Sequence, residues 1–147
     1  MRLAGLLASV ALATSRFGLV AHELVGHGGV ALAVGARVTQ VQLFWFAGGW
    51  IRYELPDAQL AAQLAIAMAG IAIETIAGLA LRLAVRGDGL GRRIARAIGL
   101  ALVVHAAWYL ANGAFSGFGD GVLLYRVLGG WRIPVAIAAG AVACAAG

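Results

Sequence analysis

Long apolar runs with very few charges dominate this chain of 147 residues, of which 63% are hydrophobic and 12% are charged. Soluble domains carry about 25% charged residues, so a water-soluble fold is disfavoured. A helix of about 20 apolar residues is long enough to cross the hydrocarbon core of a bilayer. The sequence therefore predicts an α-helical polytopic membrane protein that forms a single domain over residues 1–147.

Breaks in the apolar pattern divide this domain into parts. The parts are a first apolar region (1–36), a strand-like stretch (37–55), a second helix that opens at Pro56-Asp57 (56–86), a third helix with a polar element (94–121) and a C-terminal region (122–147). In the second part, β-branched and aromatic residues flank Gly48-Gly49, which is typical of a β-hairpin. We therefore expect three core transmembrane helices, a membrane-associated β-hairpin and a short C-terminal helix.

The first apolar region is long for a single span. As one helix, residues 3–36 would measure about 50 Å, so the helix either projects from the bilayer or breaks near Thr14-Ser15-Arg16. The first 14 residues resemble a signal peptide. We expect a retained helix instead, because the apolar pattern resumes after Arg16 and then carries a cluster of titratable residues.

The charge of the chain is basic, with 11 Lys+Arg against 6 Asp+Glu and a net charge of +5. Every basic residue is an arginine, and most lie in connections between apolar runs, as the positive-inside rule describes. That distribution argues against a nucleic-acid partner and makes the lipid bilayer the expected one. Counting arginines favours the cytoplasmic side for the connection at 82–96, with the opposite orientation as the alternative, and we expect an integral protein of a bacterial-type cytoplasmic membrane.

His22, Glu23 and His27 lie together inside the first apolar region. A charged group in hydrocarbon is costly unless it is paired or bound to a metal ion. The zinc-binding motif H-E-x-x-H places two histidines four apart on one helix face, but here the spacing is five. Five residues of an ideal helix turn about 500°, which leaves the imidazoles about 140° apart. A π-bulge would bring them back to one face.

Other arrangements of this cluster are open from the sequence alone. Glu23 and His27 are four residues apart and share a face of a regular helix, which would make Glu23 a metal ligand. The three polar residues could also join helices through hydrogen bonds. Glu74 in the second helix is a candidate proton relay, further ligand or hydrogen-bond partner of the cluster. His105 in the third helix is either a neighbour of the site or a packing residue.

A second polar element follows the third helix. Asn112 and Asp120 are eight residues apart, and Gly121 follows Asp120. This resembles the N-x-x-P-x-x-x-x-D-G element of the site-2 protease family of intramembrane zinc metalloproteases. The order of motif helix, hairpin, second helix and third helix is also similar, and the resemblance covers about residues 17–125. Ala69-Gly70 followed by Glu74 is similar to the small-Gly-Pro-x-x-Asn stretch of that family.

The resemblance implies a role for each matching residue. It makes His22, His27 and Asp120 the ligands of a Zn²⁺ cofactor and Glu23 the general base, and it makes Asn112 a residue that positions substrate or stabilises the oxyanion. Three differences from the family pattern stand beside it. The histidine spacing is one longer, Phe115 replaces a proline, and Ile71 and Glu74 replace a proline and an asparagine.

The expected function is zinc-dependent hydrolysis of a transmembrane or membrane-associated protein segment, with the hairpin edge pairing with that substrate. Asp120 could instead be only a helix N-cap and Asn112 only a C-cap. The alternatives for the whole protein are a binding or transport protein that relays protons or a metal ion, and an inactive relative that binds without cleaving.

Overall fold

Helices make up most of the chain in the computed structural model, which describes residues 2–46, 48–57 and 59–146. The helices are α1 (Arg2–Val20), α2 (Gly29–Ala33), α3 (Leu60–Ala84), α4 (Leu90–Ser116), α5 (Gly121–Leu128) and α6 (Arg132–Ala146). A π-helical segment (Ala21–Gly28) joins α1 to α2, and a 3₁₀ turn (Gly129–Trp131) joins α5 to α6. The strands are β1 (Arg37–Leu43) and β2 (Gly49–Glu54).

Four helical segments within the described residues are long and apolar enough to cross a membrane. They are Ala4–Ala33, Leu60–Ala84, Leu90–Ser116 and Gly121–Ala145. The sequence predicts only three, with a short C-terminal helix. The structure has one more because α5, the 3₁₀ turn and α6 follow one another directly over Gly121–Ala145, with a change of backbone at Gly129, where φ is +52°.

Of the two alternatives for the first helical region, the unbroken helix is the one present, and it continues through Arg16. Helix boundaries differ from the predicted ones in two places. The second helix begins at Leu60 and not at Pro56, because the amide of Gln59 donates to the carbonyl of Asp57 at 2.6 Å and closes a turn there. The third helix begins at Leu90, earlier than predicted.

The end of α4 is set by Gly117. This residue has a left-handed backbone with φ of +67°, and its N–H donates to the carbonyl of Gly113 at 2.9 Å. Glycine adopts this conformation without the steric cost that other residues meet, and it commonly ends helices in this way. Asn112 therefore lies inside the last turns of α4 and does not cap it.

The predicted β-hairpin is confirmed. β1 and β2 pair antiparallel, from Arg37 opposite Glu54 to Leu43 opposite Gly49. At the tip, the Arg16 guanidinium donates to the carbonyl of Phe44 at 2.5 Å, which ties the hairpin to α1.

A small apolar core anchors the base of the hairpin. Ala31 of α2, Ala36 and Ile66 of α3 are buried there. Partly buried side chains from both strands and their surroundings pack on them, namely Val30, Val38, Ile51, Tyr53 and Leu55. The hairpin is thus held at its base by α2 and α3 and at its tip by α1.

Glycines let α3 approach its neighbours at backbone distance. A Cβ on Gly26 of the π segment would lie 2.7 Å from the Cα of Gly70, and one on Gly78 would lie 2.6 Å from the carbonyl oxygen of Gly99 in α4. Small residues at such crossings are the usual basis of helix packing in lipid, where apolar burial drives little association. These contacts place the π segment, α3 and α4 around one polar cluster.

Candidate metal centre

The π segment carries both histidines of the sequence motif. Val20 and Gly29 at its ends have ordinary α-helical backbone angles, so the segment absorbs the extra residue by itself. The rings of His22 and His27 meet edge to face with their centroids 4.8 Å apart. Of the arrangements left open by the sequence, the π-helical one is present, and it places two residues that are five apart on one face.

Asp120 meets these histidines from a loop 98 residues away in sequence. Its Oδ2 lies 2.9 Å from His22 Nε2 and 3.1 Å from His27 Nε2. Although Asp120 occupies the N-cap position of α5, its side chain makes no capping hydrogen bond there. The capping alternative therefore does not describe this carboxylate. One ligand atom from each of the three residues falls within 4.8 Å of the others.

The other ring nitrogen of each histidine also faces an acceptor. His27 Nδ1 lies 2.6 Å from the carbonyl oxygen of Ile66, and His22 Nδ1 lies 3.6 Å from Glu74 Oε1. Acceptors at Nδ1 favour the tautomer that keeps its proton there and leaves a lone pair on Nε2. This holds for His27, whereas the nearer acceptor of His22 is Asp120 Oδ2, 2.9 Å from Nε2, so in the metal-free cluster His22 can instead donate from Nε2 to Asp120.

An anionic Asp120 between two imidazoles needs a positive charge beside it. Burial raises the pKa of the Asp120 carboxyl, but its contacts with His22 and His27 outweigh burial and lower the pKa to about 2. A proton on an imidazole and a bound metal ion are two ways to supply that charge. His27 Nε2 is buried and, despite its approach to Asp120, makes no aligned hydrogen bond within the described part of the chain. A metal ion would satisfy all three atoms.

Gly70 of α3 provides the wall behind His22. A Cβ on this glycine would lie 2.5 Å from His22 Cε1 and 2.6 Å from His22 Cδ2, so the imidazole rests directly on the main chain of α3. The contact between Gly26 and Gly70 lies beside it. The position of His22 is thus fixed by two glycines that the sequence alone did not link to the site.

Glu23 is the acid beside this cluster. It is 5% exposed, and within the described residues it forms no ion pair with His22 or His27. Its Cγ lies close to β2, where a Cβ on Gly49 would be 3.1 Å away. Because the π segment replaces the regular helix, Glu23 is not drawn into a pair with His27.

Two cavities meet at Glu23. The first, of about 710 Å³, lies between α1 and α4 and has mainly apolar walls. The second, of about 480 Å³, lies beneath β2 and includes His27 and Asp120. Glu23, Gly49 and Tyr109 line both cavities. Glu23 is therefore accessible from two directions although most of its surface is buried.

Comparisons with protein-family models, with curated proteins and with solved structures found no match. The likeness to site-2 proteases therefore remains a matter of motifs and of their order along the chain.

Tyr109 is a site residue that the sequence reasoning missed. Its ring lies edge to face with His22 at 5.8 Å and is stacked with His105 at 5.9 Å. A Cβ on Gly119 would overlap its hydroxyl, so the phenol also lies against the loop that carries Asp120. Its spacing of four residues from His105 on one helix was the available signal.

Asn112 is the predicted site residue that the structure does not bring to this cluster. Its side chain is exposed, and its Oδ1 accepts a hydrogen bond from the Ser116 hydroxyl at 3.0 Å. The Asn112 side-chain amide is thus bonded to Ser116, which lies one helical turn further along α4.

Glu74 and His105 do reach the cluster. Glu74 is 3% exposed and lies between His22 and His105, whose Nδ1 is 2.9 Å from Glu74 Oε2. Of the alternatives for these two residues, a contact with the histidine cluster is the one that the geometry favours.

Proposed function

We propose that this chain is a zinc-dependent intramembrane endopeptidase similar to the site-2 proteases. The observation that carries the proposal is the π segment, which aims His22 and His27 at Asp120 and leaves Glu23 beside them without an ion pair to any described residue. Three protein ligands with a remaining open position are the usual form of a catalytic zinc site.

The distances within the cluster suit zinc. Ligand atoms around a tetrahedral zinc ion with bonds of about 2.0–2.1 Å lie about 3.3 Å apart. Asp120 Oδ2 lies 2.9 Å and 3.1 Å from the two Nε2 atoms, and the three ligand atoms lie within 4.8 Å of one another, so the side chains would adjust to that spacing when the ion binds. Two imidazoles and one carboxylate are also a donor set that zinc accepts.

The four long apolar helices support a site within the membrane. His22 and His27 belong to the first of these helices, and Asp120 directly precedes the fourth. A polar cluster at that depth is costly unless it serves a purpose such as metal binding. We therefore place the reaction inside or at the edge of the bilayer, on a protein segment that lies there.

Different residues have different roles in the proposed reaction. Bound zinc would lower the pKa of a water molecule and polarise the scissile carbonyl. Glu23 accepts a proton from the attacking water and delivers it to the amine nitrogen as the peptide bond breaks. His22, His27 and Asp120 hold the ion. Asn112 has no part in this scheme, because its amide is exposed and bonded to Ser116.

The hairpin suggests how substrate is held. β1 and β2 form a two-stranded sheet, so β2 has one edge that pairs with no other strand in the described chain. Trp50, Ile51 and Tyr53 of β2 line the second cavity together with His27 and Asp120. An extended substrate segment that pairs with this edge would pass beside the ligands.

Zinc content is the first test of the proposal. We expect about one zinc ion per chain in detergent-purified protein prepared without chelators, and none in His27→Ala or Asp120→Ala, because each removes one of three ligands. Elemental analysis measures this directly. Asp57→Ala, which removes an exposed carboxylate, is the matched control and keeps its zinc. Zinc-free unmutated protein would refute the proposal.

Glu23→Gln tests the general base. The amide keeps the size of the side chain but cannot take a proton, so cleavage falls by about 100- to 10,000-fold while zinc content is unchanged. The assay is cleavage of a panel of single-span reporter proteins, with Asp88→Asn in the exposed loop before α4 as control. If the protein binds zinc but shows no cleavage that Glu23→Gln reduces, the result would favour a metal or proton relay or an inactive relative.

A further inference from the structure

Glu74 is the most deeply buried acid of the described chain and is not a ligand in the proposed centre. It lies midway along α3, one of the four helices that are long enough to span a membrane. A buried carboxylate needs partners that compensate for its lost hydration. Its two partners are both histidines, and one of them is His22.

The two carboxylate oxygens of Glu74 make different contacts. Oε2 lies 2.9 Å from His105 Nδ1, a full hydrogen bond in which the imidazole donates. Oε1 lies 3.6 Å from His22 Nδ1, which is longer than a hydrogen bond, so this oxygen acts on His22 as a facing negative charge. Because His105 holds one oxygen, the other is turned toward the π segment.

His105 is well placed to act as this anchor. Its side chain is 59% exposed, lies along the first cavity and stacks on Tyr109. It therefore reaches Glu74 from α4 without being a member of the His22, His27 and Asp120 group. The hydrogen bond spans α3 and α4, so the packing of these two helices sets the direction of the Glu74 carboxylate.

Each metal-facing histidine thus has an acceptor behind it, a main-chain carbonyl for His27 and a carboxylate for His22. Metal-binding histidines commonly donate their second N–H in this way, which fixes the tautomer and aims the ring. We infer that Glu74, held by His105, is a positioning residue that draws the proton of His22 toward Nδ1, against the pull of Asp120 at Nε2, and so favours an Nε2 lone pair directed at the metal position. The metal part of this inference rests on the proposed function.

The inference is tested by Glu74→Gln and by two measurements. In metal-free protein labelled with ¹⁵N-histidine, nuclear magnetic resonance reports which nitrogen of His22 carries the proton. Zinc affinity follows from competition with a chelating dye. We expect a shift of His22 away from its Nδ1–H tautomer and a 10- to 100-fold loss of zinc affinity, as is typical when such a partner is removed.

Matched variants separate positioning from general stability. Thr75→Val changes the next residue of α3, whose hydroxyl bonds only within its own helix, and leaves both measurements unchanged. His105→Ala weakens zinc binding, and His105→Asn restores much of it, because the asparagine amide can donate to Glu74 from nearly the same position. A purely structural role would lower the melting temperature in all His105 variants without moving the His22 tautomer.

The outcomes also separate this inference from the proposed function. An unchanged His22 tautomer in Glu74→Gln would overturn the inference whether or not the protein binds zinc. A changed tautomer in a protein that binds no zinc would support the positioning of His22 and refute the zinc peptidase. Zinc binding that is lost in His27→Ala but unaffected in Glu74→Gln would leave the peptidase in place and overturn the inference.

Discussion

Replacing Gly70 with alanine is expected to abolish zinc binding. The new Cβ would lie 2.5 Å from His22 Cε1, closer than any relaxed contact allows. The ring has little freedom to retreat, because His27 and Tyr109 meet its other sides. Alanine favours a helix by up to about 1 kcal/mol over glycine. Overpacking of this kind costs about 1–3 kcal/mol, which exceeds the gain in helix propensity. The net effect of the substitution is therefore destabilising, and His22 is displaced.

Gly91→Ala is the control for this variant. It also changes a helical glycine, at the start of α4, but a Cβ there has no neighbour within 4 Å. Zinc analysis and thermal unfolding of both variants measure the two effects separately. Retention of a full zinc equivalent by Gly70→Ala would contradict the packing of His22 on α3.

Shortening the π segment by one residue is expected to preserve zinc binding, whereas lengthening it by one residue is expected to abolish it. Val25 is 57% exposed and separates the histidines without contacting the site. Its deletion leaves a spacing of four residues, which a regular helix brings to one face, so zinc binding is retained. One alanine inserted after Val25 gives a spacing of six, which leaves the imidazoles about 120° apart on a regular helix, and zinc is lost.

An alanine inserted after Gly5 controls for the general effect of lengthening the helix. Gly5 lies in open space near the start of α1, so the insertion rotates only a few residues that precede it. This control variant is expected to retain its zinc. If deletion of Val25 removed zinc as completely as the insertion after Val25 does, the π segment would be required in itself and would not be merely a tolerated extra residue.

Much of the fold was accessible from the sequence because its signals are local. The spacing of His22 and His27 required an irregular helical turn if both were to bind one metal ion. The strand-like residues around Gly48-Gly49 predicted the hairpin. The meeting of Asp120 with the histidines was expected only through resemblance. It required a left-handed glycine at position 117 and close approach of three helices, and no local pattern encodes that approach.

Other features depend on packing that no periodicity reveals. The wall formed by Gly70 and the bond between Glu74 and His105 arise where α3 meets its neighbours, and Tyr109 enters the site only because α4 lies beside it. Asn112 was expected in a polar element that follows the third helix, but α4 continues to Ser116 and includes it. The hydrophobic period of a helix can be read from its own residues. The lengths of connections and the points where helices cross depend on packing across the whole molecule.

The two cavities that meet at Glu23 differ in the surroundings they offer. One is walled mainly by leucine, isoleucine, valine and alanine side chains of α1 and α4, and the other contains Gln63, Tyr53 and Arg126 beside the proposed ligands. If the chain is the proposed peptidase, an apolar substrate segment would enter through the first cavity and water through the second, so neither reactant would have to cross the path of the other.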